Sequence, residues 1–527
     1  MFKLERRRFV QLGAAFGAAT LVNPVREALA SAAPVPAPTA DELVTMTLAE
    51  ATRRMRAREI TSTQMTEAFL ARIATYNPKI NAFITVMHDV ALAQAKQRDD
   101  EARAGHFRGP LHGIPILLKD NIDTAGTRTT AASLVLDDNV PTEDAFITAR
   151  LKAAGAVFLG KANMHEFAMG HTSSATYFGP VRNPWAPDHT PAGSSGGCGA
   201  AVIADLCTAA IGTDTGGSVR MPAAYCSIVG LKPTYGLVSI RGIIPLTYSL
   251  DHCGPMTRTV EDAAIMLTAM AAYDKLDVAS VEHAPEDYTQ SMKQPVGKLR
   301  LGIPRAPYFD RLDTETSEAI EAAIVMLSKL TASTKEVTLP GTHGFNALAL
   351  GAETEAYHLE LYRKSKNGYS MSIRRGIEGG VKGLDDVSDQ PCSEKVVEYI
   401  NSSWALTRLR RTIDDAFTDF DLVALPTMRL LPPTINESLS REEDPKPREP
   451  EIDNNCQPFD VFGIPAISIP CGFSKTGLPI GLMIAGPRFS EGRVLALAHA
   501  YEQATDWHKR KPALSPDMVI PSVNRKS

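Results

Sequence analysis

The sequence predicts an α/β fold built as one large domain, and three observations predict it. Apolar runs of strand length recur from residue 113 to residue 486, and helix-length segments lie between them. The chain has 527 residues, of which 44% are hydrophobic and 22% charged, the balance of a globular protein with a large core. No internal repeat and no second hydrophobic beginning divides the chain after its N-terminus.

Taken in order, residues 1–32 read as an export signal rather than as part of the fold. Arg6-Arg7-Arg8-Phe9-Val10-Gln11 resembles the twin-arginine signal, and a weakly apolar Gly/Ala-rich stretch follows it. Ala28-Leu29-Ala30 or Ala30-Ser31-Ala32 supplies a small-residue cleavage site. The apolar stretch is shorter than the roughly 20 residues a bilayer span needs, which predicts no stable membrane insertion. Residues 1–30 carry five basic and two acidic side chains, so their removal takes the formal charge from −5 to −8. The expectation is an acidic periplasmic or secreted protein. No basic run follows the signal, which argues against nucleic acid as a partner, because phosphate binding depends on clustered Lys and Arg. The seven cysteines are spread singly and read as small buried apolar residues, with the pairing of any two left open.

Residues 33–45 read as a Pro/Ala linker, and residues 46–510 as the folded domain, followed by a tail over 511–527. Helical spacing runs from about 46 to 75 through Leu48, Ala51, Met55, Ile60, Met65, Phe69 and Ile73. The runs 113–120, 156–161, 207–214, 299–304, 421–427, 466–471 and 479–486 read as buried strands. Segments 144–154, 197–206, 259–273, 314–332 and 493–506 read as the helices between them. Residues 340–410 are charged and poorly patterned, 437–451 read as a solvated loop, and about 340–460 forms a variable segment.

Three motifs invite a function and fail. "GAVFLGKA" (155–162) begins like a phosphate-binding loop, but Ala162 stands where Ser or Thr would hold magnesium. "GSSGG" (193–197) matches a nucleophile elbow at Ser195, yet turn formers precede it where a strand is required. "NMHEFAMGH" (163–171) brings His165, Glu166 and His171 together without zinc spacing, so these read as pocket or turn-capping groups and no metal is expected.

What survives is "IGTDTGGSVRMP" (211–222), where a serine follows two glycines. Gly216 and Gly217 permit a tight loop with amides open to a ligand, and Ser218 adds a hydroxyl to the same space. A plain turn before a helix is the blander reading. A serine is a feeble nucleophile until something takes its proton. Lys119 ends the apolar run "GIPILLKD", where burial could strip its ammonium of charge and leave a base. Ser194 lies in "AGSSGG" before a helix of small residues. Amides at such helix starts favour developing negative charge.

Together with these residues, "LHGIPILLKDNIDTAGTRTT" (111–130), "GPVRNPWAPDHTPAGSSGGCGAAV" (179–202), "GTDTGGSVRMPAAYCSIVGLKPTYGLVS" (212–239), "SLDHCGPMTRTVED" (249–262) and "GIPAISIPCGFSKTGLPIGLMIAG" (463–486) resemble the amidase signature family of Ser-Ser-Lys hydrolases. The similarity spans about residues 45–505, with a signature core at about 110–262. It implies a mixed central β-sheet covered by helices in an α/β/α domain, and no cofactor. It also implies Ser218 as the acylated nucleophile, Ser194 (on a cis peptide) as proton relay, and Lys119 as neutral base. The oxyanion hole implied is the amides of Thr215, Gly216, Gly217 and Ser218. Asp214 and Arg220 become supporting charges, and Ser195 supports the serines. Two residues depart from the family pattern, Ala132 and Ala192, the latter standing where a glycine is frequent.

The expected activity is hydrolysis of a carboxamide, giving a carboxylic acid and ammonia or an amine. The substrate expected is a small aryl, acyl or peptide amide, in a pocket to which Met164, Met169 and Gly170 contribute. Two other classes stay open: an amidotransferase component that works on charged tRNA, against which the export signal argues, and a non-catalytic binding protein. Whether the protein forms a homodimer is not legible.

Overall fold

A computed structural model describes residues 38–342, 345–346, 350–385, 394–443 and 454–523, so the expected export signal over 1–32 lies outside the described residues. The apolar runs become the strands of a single sheet. These are β1 (Phe83–Val86), β2 (Pro115–Lys119), β3 (Val157–Ala162), β4 (Ala209–Asp214), β5 (Val229–Lys232), β6 (His252–Thr257), β7 (Arg300–Ile303), β8 (Ser333–Glu336), β9 (Leu422–Pro426), β10 (Ala466–Phe473) and β11 (Pro479–Ala485). Their order across the sheet is β1-β3-β2-β4-β6-β5-β10-β11-β9-β7-β8. β2 runs parallel to β3 and β4, and β7 runs parallel to β8 and β9. The remaining pairs are antiparallel, so the sheet is mixed. Helices cover it, and β2, β3, β4 and β11 are buried throughout, which is why they read as unbroken apolar runs.

The strands that sequence patterning passes over have local reasons. β8 is an edge strand of sequence STKE with mostly exposed side chains, so it has no apolar signal. β6 carries Gly254 and Pro255, which read as a turn. A Cβ on Gly254 would collide with the carbonyl of Leu231, so the glycine is what allows its backbone to lie so close to that residue.

Four expectations are corrected. Residues 40–45 are not linker: helix Ala40–Thr45 starts at a Thr39/Glu42 capping box and buries Leu43 and Val44. The helical stretch from 46 divides into Leu48–Arg56 and Ser62–Ile80, because Arg58 adopts φ 61° and Thr61 caps a new start. The segment 340–410 is largely helical, as Gly351–Ser365, Met371–Asp385 and Glu394–Thr412. In helix Gly351–Ser365 only Thr354 and His358 are buried, so little of the apolar periodicity that would reveal it is present. Helix Ile435–Glu443 also replaces the first part of the expected loop at 437–451, the rest of which lies outside the described residues beyond 443. Among the described residues no helix is long and apolar enough to cross a membrane. The six described cysteines are free and buried, as small apolar residues would be.

Candidate active site

Lys119 is the last residue of β2, which lies between β3 and β4 in the sheet, and its side chain is fully buried. Its Nζ donates to Ser194 Oγ at 2.7 Å and to Thr213 Oγ1 at 2.8 Å. Burial pushes the ammonium down from 10.5 to about 8, and the fields of Asp214 and Asp251 restrain the fall. Thr213 did not emerge from the sequence. Its signal was there, one residue before Asp214 in the same short run.

Ser194 is presented by a loop whose Gly193–Ser194 peptide is cis. Its carbonyl accepts from His165 N at 3.0 Å and from Ser173 Oγ at 3.3 Å, which ties the loop to the 163–173 segment. Ala192, at the position where the family favours glycine, has φ 63°, and Ala132 has φ 59°. Left-handed backbone of this kind costs a side chain about 1–2 kcal/mol that glycine avoids. Ser195 is buried and its hydroxyl is spent. The Oγ donates to Thr213 O at 3.1 Å and accepts from Thr213 N at 3.3 Å, while its amide donates to Ser218 O at 3.3 Å. It therefore joins three segments and is locked away from any substrate, which disposes of the elbow motif.

Ser218 is buried to within 4% of its surface, and its hydroxyl forms no hydrogen bond with the described residues. The two glycines before it are there for different reasons. Gly217 has φ +122°, and a Cβ there would lie 2.6 Å from Cys456 Cβ, so backbone and space both demand glycine. A Cβ on Gly216 would meet nothing closer than Gln457 Cγ at 3.9 Å, so the missing side chain keeps the face of the loop open.

Asp214 organises this loop from beneath. Its Oδ1 accepts the Gly217 amide at 2.6 Å and its Oδ2 accepts the Val219 amide at 3.2 Å. Gly217 is therefore removed from the expected set of oxyanion donors, because its N–H is already taken. The amides of Thr215, Gly216 and Ser218 have no acceptor among the described residues. Arg220 closes on Asp214 with Nε to Oδ2 at 2.9 Å and Nη2 to Oδ1 at 3.0 Å, and reaches Asp460 Oδ2 at 2.6 Å. All three side chains are fully buried. Asp214 is held far below the usual carboxylate range despite its burial, by the charge and hydrogen bonds of Arg220. Thr215 Oγ1 donates to Asp251 Oδ1 at 2.5 Å, and burial pushes Asp251 up to about 6. Asp251 lies in the motif 249–262 but was given no role, and Asp460 was missed because nothing in its local sequence marks it.

The expected pocket divides. Met164 is fully buried against Ala132 and Ala168, so it belongs to the core and not to a pocket. Met169 and Gly170 line a cavity of about 390 Å³ with His171, Ile373, Arg441 and Glu442. His171 also lines a second cavity of about 400 Å³ that includes Gln457, the residue facing Gly216. His165 Nδ1 accepts from Ser173 N at 3.2 Å, and Glu166 Oε2 accepts from Ser370 N at 2.9 Å, so both serve as loop braces. Among the described residues no cluster could hold a metal ion.

The profile of the Amidase family matches residues 64–495. The chain belongs to the amidase family. It is an amide hydrolase of that family by sequence and by fold. It is similar to a glutamyl-tRNA(Gln) amidotransferase component from Geotalea daltonii, 39% identical over 90% of this chain and 100% of that protein. It is also similar to the native peptide amidase of Stenotrophomonas maltophilia, 34% identical over 90% of this chain and 99% of that one, with a TM-score of 0.74. A 6-aminohexanoate cyclic dimer hydrolase, solved with its substrate, is 27% identical over 90% and 99% of the two chains, with a TM-score of 0.77.

Proposed function

We propose that this amidase is an exported hydrolase of small carboxamides that works through an acyl-enzyme on Ser218. The observation that carries the reading is the buried Lys119, 2.7 Å from Ser194 Oγ and depressed to about 8, a lysine placed to act as a base. Neutral Lys119 takes the Ser194 proton while Ser194 takes that of Ser218, whose Oγ attacks the amide carbonyl. The relay requires a Ser218–Ser194 hydrogen bond, which the described contacts do not include and which in this proposal forms as Ser218 turns to the substrate. The oxyanion lies against the amides of Thr215, Gly216 and Ser218. The relay then returns a proton to the leaving nitrogen, and water attacks the acyl-serine to release the acid. Treating the purified protein with a fluorophosphonate and mapping the modified peptide tests this. A label on Ser218 is expected, and a label on Ser195 or none at pH 9 overturns it.

A second reading is favoured by the amidotransferase relatives, whose identity of 39–40% runs over nearly their whole length. In it the same three residues cleave the glutamine amide and a partner protein consumes the ammonia. The Arg6-Arg7-Arg8 run supports the first reading, since charged tRNA is a cytoplasmic substrate. Two results separate them. Export blocked by Arg6→Lys with Arg7→Lys, and amide hydrolysis by the purified chain alone, favour the hydrolase. Unchanged localisation and activity only beside partner proteins favour the amidotransferase.

A further inference from the structure

We infer that a cavity beside the C-terminal end of helix Gln457–Phe462 binds a small carboxylate with an apolar body. The cavity holds about 430 Å³, and Arg410, Arg411 and Arg488 are among the residues that line it. Arg410 is fixed rather than free. Its Nη2 donates to Ser249 O at 2.7 Å and to Asp460 O at 3.2 Å, and its Nε donates to Val461 O at 3.2 Å. Its guanidinium carbon lies 3.7 Å from the centre of the Tyr235 ring. Gly463, at φ +65°, makes room for it, because a Cβ there would sit 3.0 Å from Arg410 Nε.

The partners of Arg410 are neutral carbonyls and a ring, and among the described residues no carboxylate comes within ion-pair distance of it. Arg410 is largely withdrawn from water, which lowers its pKa, and the more distant charges of Asp460 and Glu353 offset that fall only in part. Arg411 is exposed and has no ion-pair partner among the described residues. Arg488 is the balanced member, paired with Asp414 at 3.0 Å. The nearby acids are engaged elsewhere. Glu353 accepts from Ser249 N at 2.8 Å and Tyr399 OH at 3.0 Å, and Asp277 accepts from Tyr248 OH at 2.6 Å. A guanidinium fork matches a carboxylate edge to edge. The remaining wall includes Val278, Val281, Leu406 and Phe489, which suits an apolar body and not a bare phosphate.

The probe is benzoate, with benzyl alcohol as its neutral counterpart and inorganic phosphate as a purely ionic one. Phenylglyoxal labelling of the full protein, mapped by peptide mass, reads the site directly. Benzoate is expected to protect Arg410 and Arg411 about tenfold while exposed Arg58 labels as before, and benzyl alcohol protects neither. In calorimetry Arg411→Ala, a surface change, is expected to weaken benzoate binding by about tenfold, the loss of one charge-assisted contact. Its amide hydrolysis stays at the wild-type rate. Unchanged labelling with benzoate, undiminished binding by Arg411→Ala, equal protection by benzyl alcohol, or stronger protection by phosphate would each overturn the inference.

Discussion

Replacing Thr213 by valine removes one of the two hydroxyls that Lys119 Nζ contacts, at 2.8 Å, and keeps the shape of the side chain. The depression of Lys119 from 10.5 to about 8 multiplies its free-amine fraction at pH 7 by about 300, and leaves about a tenth of it neutral there. A hydrogen bond to the charged amine exceeds one to the neutral amine by about 1 kcal/mol. Losing that acceptor therefore destabilises the ammonium and lowers the Lys119 pKa by roughly 0.7. The free-amine fraction at pH 7 then rises about three- to fourfold. The assay is kcat/KM for a small amide between pH 6 and pH 10. A base must be deprotonated, so the wild-type profile is expected to climb with pH and level off above about 8. The Thr213→Val profile levels off at lower pH. A wild-type profile that is flat from pH 6 to 9, or a Thr213→Val shift to higher pH, refutes Lys119 as the base.

Asp214→Asn removes one of the two buried carboxylates that pair with Arg220, leaving Asp460 as its counter-charge, and is expected to cost up to about 3 kcal/mol in urea unfolding; an unchanged midpoint would count against the ion pair as the loop's support. Gly217→Ala drives a Cβ into Cys456 and so displaces the neighbouring Gly216 and Ser218 amides, which should lower kcat/KM by about 100-fold, the cost of one misplaced oxyanion donor, and an unchanged kcat/KM would remove those amides from the oxyanion hole. Gly216→Ala has room to fold, so its circular dichroism and melting should match the wild type, and a collapse of its stability would show that the loop face is not open. Burial raises Glu502 to about 8, helped by Asp262 and Glu261. Its folded state thus binds the proton more tightly than the unfolded chain, and stability falls as pH rises from about 4.5 towards about 8, by up to about 1.4 kcal/mol per pH unit. Melting at pH 5 and pH 8 should show Glu502→Gln losing less than the wild type, and equal losses would exclude Glu502 as the source.

The covered strands were legible because strands buried on both faces must be apolar throughout, as β2, β3, β4 and β11 are. Edge strand β8 and helix Gly351–Ser365 were not, because their side chains answer mainly to water and leave little periodicity. Lys119, Ser194 and Ser218 could be named from their order and flanking motifs. The role expected of the Gly217 amide could not be checked at that level, since a carboxylate three residues away competes for it.

Local chain chemistry thus determined the central strands and the two-glycine loop, and the ordered family-like motifs marked Lys119, Ser194 and Ser218 as the candidate site. The tertiary structure alone decided the state of that lysine and the charge beneath the loop. Lys119 is depressed to about 8 because a sheet closes around it, and its hydroxyl partners stand 75 and 94 residues away. Arg220 is shared between Asp214 and Asp460, the second 240 residues distant. Burial and ion pairing depend on distance in space and on the exclusion of water, and neither quantity is carried by the residues that flank a motif.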